Sequence, residues 1–434
     1  MIQTSVLGKT RTLFYGWVIV AAGMVLQMLG TGLGGQGLGA FLVPLEKEFG
    51  WTKTALAGGR SLMQLESGLL GPIEGFLVDW LGPRTIMVIG SVIFGAGLVA
   101  MGFINSLWSY YLAYVIIAVG ASLSGSIALF VALNNWFQRK RTLAMALTQT
   151  GNGFAGIFII PLLLIGLSAF GWRATAIASG VLIWVTCIPI AFVVRRAPEP
   201  YGTFPDGVPP SSYRSSDAKH NGKESDSSPA VDFTLKEAMR TRSFWFISLG
   251  HGMAVMIISA VTVHQFAHAE QGVGLSSSAV GVMVAVLGVA TVVGRILGGI
   301  LGDRNDMRYL AVGCMIGTSI ALVIFALATS LWQVILFAIL YGLFWGMRGP
   351  MMSSLRGLYF GRSSFGAISG VAAIITTACS MTGPLIAGYF ADTRGDYVQG
   401  FLILAVVSGL GSIFFIMTKR PAPPARPTST VPTS

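Results

Sequence analysis

Apolar residues in this chain come in long runs rather than in the alternating or one-faced patterns of a soluble protein. Twelve such runs span approximately 16–44, 54–79, 85–104, 108–133, 143–168, 174–194, 243–267, 275–301, 309–329, 332–354, 364–390 and 398–418. A helix rises about 1.5 Å per residue, so about 20 apolar residues cross a hydrocarbon layer about 30 Å thick. The pattern predicts twelve membrane-spanning helices. Turn residues mark several of the breaks, at Gly82-Pro83, Gly171-Trp172 and Asp392 to Gly395. Connections this short suit helices that run up and down beside their neighbours.

One polar stretch is long. It covers 196–242 and divides the chain into a first six-helix unit over 1–195 and a second over 243–420. Its centre, Pro198 to Pro229, is rich in Pro, Ser, Gly and Asp, cannot bury apolar surface and is expected to be flexible. Its end, FTLKEAMRTRSFW, regains helical character, with Phe233, Ala238 and Met239 expected to lie on the membrane surface. The Pro-rich tail, 421–434, is expected to be disordered.

Composition excludes a soluble reading. Hydrophobic residues make up 53% of 434 and charged ones 10%, against about 25% charged in a globular domain. The net charge of +11 suggests a nucleic-acid partner until the basic residues are placed. Of the 28 Lys and Arg, 21 fall in segments on one side of the membrane. Four (Lys47, Lys53, Arg173, Arg394) fall on the other, and three (Arg60, Arg295, Arg348) lie within spans. That bias places both termini in the cytoplasm, and a bacterial-type inner membrane is the expected location. The basic balance reflects topology, and the expected partner is a lipid bilayer. The N-terminal run lacks a small-residue cleavage site and is too long for a signal peptide, so it is the first span. Cys187, Cys314 and Cys379 fall inside spans with no pairing or metal spacing.

Two stretches repeat one pattern. GFLVDWLGPR (Gly75 to Arg84) and GILGDRNDMR (Gly299 to Arg308) both read Gly, Leu two later, Asp four later and Arg nine later. A Gly at the membrane edge lets helices approach closely. The Asp either caps a following helix or pairs with an Arg across an interface, so Gly75, Asp79, Arg84, Gly299, Asp303 and Arg308 form a candidate gate. The blander reading is a recurrent hairpin turn, which two copies at equivalent places weaken. A formal GxGxxG in the first span, within GTGLGGQGLG (Gly30 to Gly39), is no dinucleotide site, since no strand precedes it. Close packing or a bendable helix accounts for it. Gln36 in this stretch is a candidate for the cavity wall.

Ionisable groups inside spans carry the most weight, because a charge at mid-membrane costs at least ~2.5–3.5 kcal/mol. Arg295 lies eight residues before Asp303, roughly 12 Å from the membrane edge. It needs either a carboxylate side chain or the carboxylate of a substrate held by both guanidinium nitrogens. Arg348, flanked by Gly346, Gly349 and Pro350, is expected to pair structurally, with Glu66 as the partner, or else to bind substrate. Glu66 is read as the one deep carboxylate, either a proton carrier or the ion-pair partner of Arg60, Arg348 or a neighbouring polar group; Glu74 is assigned to the loop network around Asp79 and Arg84. His264 is either a satisfied histidine or a donor to an anion and proton carrier. With His268 it has the spacing of a metal pair, but no third ligand accompanies them. No catalytic motif is present, and neither a cofactor nor a metal is expected.

The repeated loop resembles the signature of the major facilitator superfamily, and the likeness covers the whole chain. The segments FYGWVIVAAG, RSLMQLESGLLGPIEGFLVDWLGPR, NWFQRKRTLAMAL, FWFISLGHGMAVMIISAVTVHQF, GRILGGILGD and YFGRSSFGAISG resemble its monocarboxylate and oxalate/formate branch. The resemblance implies an all-α membrane protein, two pseudo-symmetric six-helix bundles that rock about a central site. It also implies that Arg295, four residues before Gly299, binds a substrate carboxylate and that His264 lies near it. Thr291 stands where animal carriers have an Asp, the first span has no Lys, and span eleven has no internal cation. Proton coupling through a Lys is therefore not transferable, and a dicarboxylate would need Arg348 as its second cation. The expectation is a monomeric secondary transporter of small organic anions, chiefly monocarboxylates, with protons as a candidate co-ion. Arg295, His264, Gln36, Arg348 and Tyr341 are its candidate substrate-binding residues, and Glu66 and His264 its candidate proton-coupling residues. An anion exchanger is the alternative, and a drug exporter or transporter-shaped sensor is more remote.

Overall fold

A computed structural model describes residues 2–6, 9–208 and 232–422. Each predicted run becomes a helix. In chain order these are α1 (Tyr15–Phe49), α2 (Lys53–Leu81), α3 (Pro83–Met101), α4 (Leu107–Trp136), α5 (141–170) and α6 (172–193) in the first half. The second half holds α7 (Arg242–Gly272), α8 (Ser277–Arg304), α9 (Met307–Ala326), α10 (Leu331–Phe360), α11 (Phe365–Arg394) and α12 (Val398–Met417). By length and apolarity ten helices qualify as spans among the described residues. Two details reconcile ten with twelve. Residues 141–193 count once although Gly171, at φ 74°, turns the chain between α5 and α6. The other is α2, which carries Lys53, Arg60, Glu66, Glu74 and Asp79 and is too polar to qualify.

Several helices are irregular where the sequence withholds side chains. In α1 the regular helix ends at Leu29, widens over Gly30–Gln36 and tightens over Gly37–Phe41. The glycine-rich run has few side chains to hold a uniform ladder. The fourth helix breaks between Leu107–Leu123 and Ser126–Trp136, with Ser124 and Gly125 at the break.

One apolar core fills the first half, and two adjacent clusters fill the second. Outside, large apolar side chains stand exposed around the girth, among them Phe76, Trp108, Val185 and Leu385. An apolar exterior over a packed interior is what a lipid-facing surface requires. A short antiparallel hairpin of β1 (Ile2–Val6) and β2 (Lys9–Leu13) precedes α1, with Ile2 opposite Leu13. No apolar alternation announced it.

The linker departs from expectation at both ends. Pro198 to Val208 is folded, not flexible, because its carboxylates find open backbone donors. Asp206 accepts from the N–H groups of Gln138 (2.9 Å) and Arg139 (2.7 Å), and Glu199 pairs with Arg362 at 3.0 Å. Asp232 accepts from the N–H of Arg362 (2.6 Å) and of Ser363 (3.2 Å). Phe233 and Ala238 do not lie on the membrane surface; they are buried in the second half's core, around the short helix Leu235–Met239. The expected flexible centre from 209 to 229 and the tail from 423 lie outside the described residues.

Candidate functional site

The repeated loops do not act as the Asp–Arg locks that their sequence suggested. Each aspartate reaches into the opposite half and caps a helix there. Asp79, at the end of α2, accepts from the N–H groups of Gly366 (3.1 Å) and Ala367 (2.8 Å) in the first turn of α11. Asp303, at the end of α8, accepts from Thr142 (2.8 Å) and Leu143 (3.1 Å) in the first turn of α5. Helix starts carry unpaired N–H groups and a partial positive charge, so a carboxylate is the natural partner. The trailing arginines stay at home. Arg84 donates to the Val194 carbonyl at the end of α6 (3.2 Å), and Arg308 to the Thr418 carbonyl at the end of α12 (3.0 Å). Each loop therefore anchors to its own bundle through Arg and grips the other through Asp.

The two signature glycines explain how the halves come close enough. A Cβ on Gly75 would lie 2.1 Å from the Gly366 carbonyl oxygen, and one on Gly299 would lie 2.9 Å from Leu143 Cα. Further crossings surround them on the same face: Thr142 to Ser354 at 2.8 Å, and Arg362 to the Asn135 carbonyl at 2.7 Å. The bundles are locked together on the face that carries Asp79 and Asp303.

Deepest among these crossings is Arg295 of α8, half-buried. Its Nη1 donates to the Gln149 carbonyl on α5 at 2.8 Å. Among the described residues no carboxylate pairs with it. Neutral backbone oxygen leaves most of the guanidinium's charge and donors unspent.

Arg348 behaves differently. It is 1% exposed and sits over the Trp345 ring at 4.9 Å, with Nη1 3.3 Å from Nδ1 of half-buried His251 on α7. Glu66, the expected partner, is not the one it has; Arg348 lies within reach of Cys314 on α9 and of Tyr341 instead. The Arg348 Nη2 and the Tyr341 hydroxyl are buried without a partner among the described residues. Both side chains thus belong to the interior of the second bundle.

His264 is half-buried, with Nε2 3.0 Å from the Pro384 carbonyl of α11 and its ring 5.1 Å from Tyr397. It staples α7 to α11. His268 is buried against Phe325, Phe401 and Tyr397, with Nε2 2.8 Å from the Phe325 carbonyl. No group of metal ligands forms among the described residues.

A cavity of about 410 Å³ lies between α1, α2 and α4 of the first bundle, with Ala373 of α11 also in its wall. Glu66 and Glu74 both line it, with Gln27, Thr31, Ser122 and Ser126. Glu74 does not belong to the loop network. It is 4% exposed, takes a hydrogen bond from Ser122 at 3.1 Å on Oε2, and its Oε1 has no partner among the described residues. Gln36 is exposed and lies outside this cavity. Gln27, one of the polar residues reasoning from sequence passed over, hydrogen-bonds Ser126 at 3.1 Å. A second amide inside the first span, nine residues before Gln36, was the available signal.

Comparisons with known proteins add family and relatives. The Major Facilitator Superfamily pattern matches residues 20–304 and 263–433. The human protein named monocarboxylate transporter 11 is 27% identical, over 95% of this chain and 85% of its own. The oxalate:formate antiporter of Oxalobacter formigenes is 24% identical, over 84% and 82%. Among solved structures, the E. coli fucose:proton symporter superposes with a TM-score of 0.70 at 16% identity, covering 94% of this chain and 100% of that one. The human organic anion transporter MFSD10 gives 0.66 at 15%, covering 93% and 100%.

Proposed function

The chain belongs to the Major Facilitator Superfamily, and on that premise we propose that it is a secondary transporter of small organic anions, chiefly monocarboxylates. One observation carries the reading: Arg295 is a half-buried guanidinium at the junction of the bundles, held by one backbone carbonyl and by no described carboxylate. A planar fork of N–H donors in that position fits a carboxylate with both oxygens engaged. The relatives named for monocarboxylate and oxalate:formate transport support the same class. Rocking of the bundles exposes Arg295 to each side in turn. The Asp79 and Asp303 caps hold one face shut and must be released for that face to open. His264 keeps α7 and α11 in register beside the path, and Gln36 stands on the exposed wall of α1. Arg348 and Tyr341 serve the interior of the second bundle, and Glu66 is the candidate carrier of a coupling proton. The basic, latched face is the cytoplasmic one, with both termini on that side of a bacterial-type inner membrane, and the working unit is a monomer.

Uptake of a labelled carboxylate panel into liposomes holding the purified protein tests this, with and without an inward proton gradient. Gradient-stimulated uptake of a monocarboxylate is the expected result. Uptake only into preloaded vesicles identifies an exchanger, and no uptake under either condition overturns the substrate class.

A further inference from the structure

The cavity beside α2 holds one acid more than the proposed proton-carrying role of Glu66 uses. Two carboxylates line it, Glu66 and Glu74, separated by two helical turns and by Pro72. The rest of its polar wall is neutral oxygen, from Gln27, Thr31, Ser122 and Ser126, and no lysine, arginine or histidine is among the described lining residues. A proton on Glu66 leaves Glu74 as a second buried acid. Glu74 is the innermost of these groups, 96% removed from solvent by its 4% exposure, and its free Oε1 has no donor.

The wall beside Glu74 is also where the fourth helix is broken. Ser122, Ser124, Gly125 and Ser126 all line the cavity, and the Gly125 N–H turns back to the Ser122 carbonyl at 2.9 Å instead of continuing the helical ladder. Broken helices at membrane depth are where backbone carbonyls become available to a cation. Hydroxyl, amide, carbonyl and carboxylate oxygens are hard ligands that suit hard metal cations. Glu74, ionised as a cation enters, supplies one negative charge among neutral oxygens, which balances a single positive charge. The cavity has space for such an ion with part of its water.

We propose that this cavity is a binding site for one sodium ion, held at Glu74 with oxygens of Ser122, Ser126 and the α4 break, and entered past Glu66. Arg295 is not among the described lining residues of this cavity, and the site does not depend on the identity of the transported anion. Its occupant is a second cation, beside the coupling proton proposed for Glu66, that offsets the negative charge of a carboxylate substrate.

Equilibrium binding of ²²Na⁺ to the purified full-length protein, with no organic anion present, reads the site directly. Wild type should bind saturably, with displacement by unlabelled sodium and none by choline. Glu74→Gln, whose amide can still accept from Ser122, should reduce binding at least tenfold while melting as wild type does in choline buffer. Glu66→Gln, at the open end, should weaken binding severalfold, and Arg295→Ala should leave it unchanged. No saturable binding by wild type, or a Glu74→Gln variant that binds as wild type does, would overturn the proposal and leave Glu74 a buried neutral acid. Displacement by methylammonium as strong as by sodium would also overturn it, and would give the cavity to an ammonium group. Because no anion is used, failure of the carboxylate reading leaves this result interpretable.

Discussion

The two halves share one architecture and one latch, yet apart from Arg141 at the start of α5 they bury charges of opposite sign. In the first, two carboxylates on α2 line a cavity, and Glu74 keeps an unpartnered oxygen. In the second, Arg348 and Arg356 are buried and Arg295 half-buried, with no carboxylate on any of them among the described residues. The gate obeys the pseudo-symmetry closely: Asp79 and Asp303 each cap a helix of the other half, and Arg84 and Arg308 each bind a carbonyl at the end of their own half's last helix. Symmetry is kept where the halves must grip each other from both sides. It is lost at the two proposed ligand sites, and on that proposal one solute and its counter-charge need different walls.

The largest test of that contrast is Arg295→Ala. Loss of a charge-assisted pair of hydrogen bonds costs about 3 kcal/mol or more, so anion binding should fall at least about 100-fold by calorimetry. A similar loss from Arg348→Ala, with the fold intact, would move the anion site into the second bundle's interior.

Next come the glycines of the latch. Gly75 meets backbone on α11, which cannot move aside, and Gly299 meets Ala146 Cβ as well as Leu143 Cα on α5. Gly75→Val should cost about 1–3 kcal/mol of the closed state and raise labelling of a cysteine placed on the latched interface. Gly299→Ala should raise it less.

Within the second bundle, Arg348 should prove a local liability. Replacing it with Met is expected to be neutral or stabilising, whereas His251→Ala, which strips its one side-chain hydrogen-bonding partner among the described residues, should cost about 1–3 kcal/mol. Thermal melts of the two variants distinguish these outcomes.

Asp79→Asn and Asp303→Asn remove equivalent caps, each worth about 1 kcal/mol. Both should shift the population toward opening of the latched face by roughly fivefold, read as a longer interbundle distance between spin labels. Unequal shifts would show that the gate is less symmetric than its hydrogen bonds.

The smallest effect concerns Asp306, which caps α9 and pairs with Arg308 at 2.6 Å. Its hydrogen bonds to Arg308 hold the carboxyl below its usual range. A depressed native value gives stability that is present above the unfolded pKa of about 3.9 and lost as pH falls through the native one. The pair is solvent-exposed, so the contribution is a few tenths of a kcal/mol. The melting difference between wild type and Asp306→Ala should narrow as pH falls below about 4.

Long apolar runs and the paired loops made the twelve helices and the two-bundle fold legible, since membrane spanning leaves few alternatives to a helix. Arg295 stood out for the same reason. What escaped was tertiary. A sequence shows that Asp79 ends a helix, but not that the nearest open N–H groups belong to α11, nearly 290 residues away by hydrogen-bond separations of 287 and 288. Glu74 looked like a loop residue because it is five positions from Asp79, yet helix rotation points it at Ser122. Arg348 drew Glu66 as its partner only because sign was the one available criterion. Pro198 to Val208 read as coil by composition, and its fold comes from carboxylates meeting open N–H groups elsewhere in the chain.

The most direct test of the central claim is equilibrium exchange of a labelled monocarboxylate across liposomes containing either wild type or Arg295→Ala, with the anion at equal concentration on both sides. Exchange needs no driving gradient, so it isolates binding and rocking from coupling. The account predicts saturable exchange by wild type and none above protein-free vesicles by Arg295→Ala. Exchange by Arg295→Ala at the wild-type rate would contradict it.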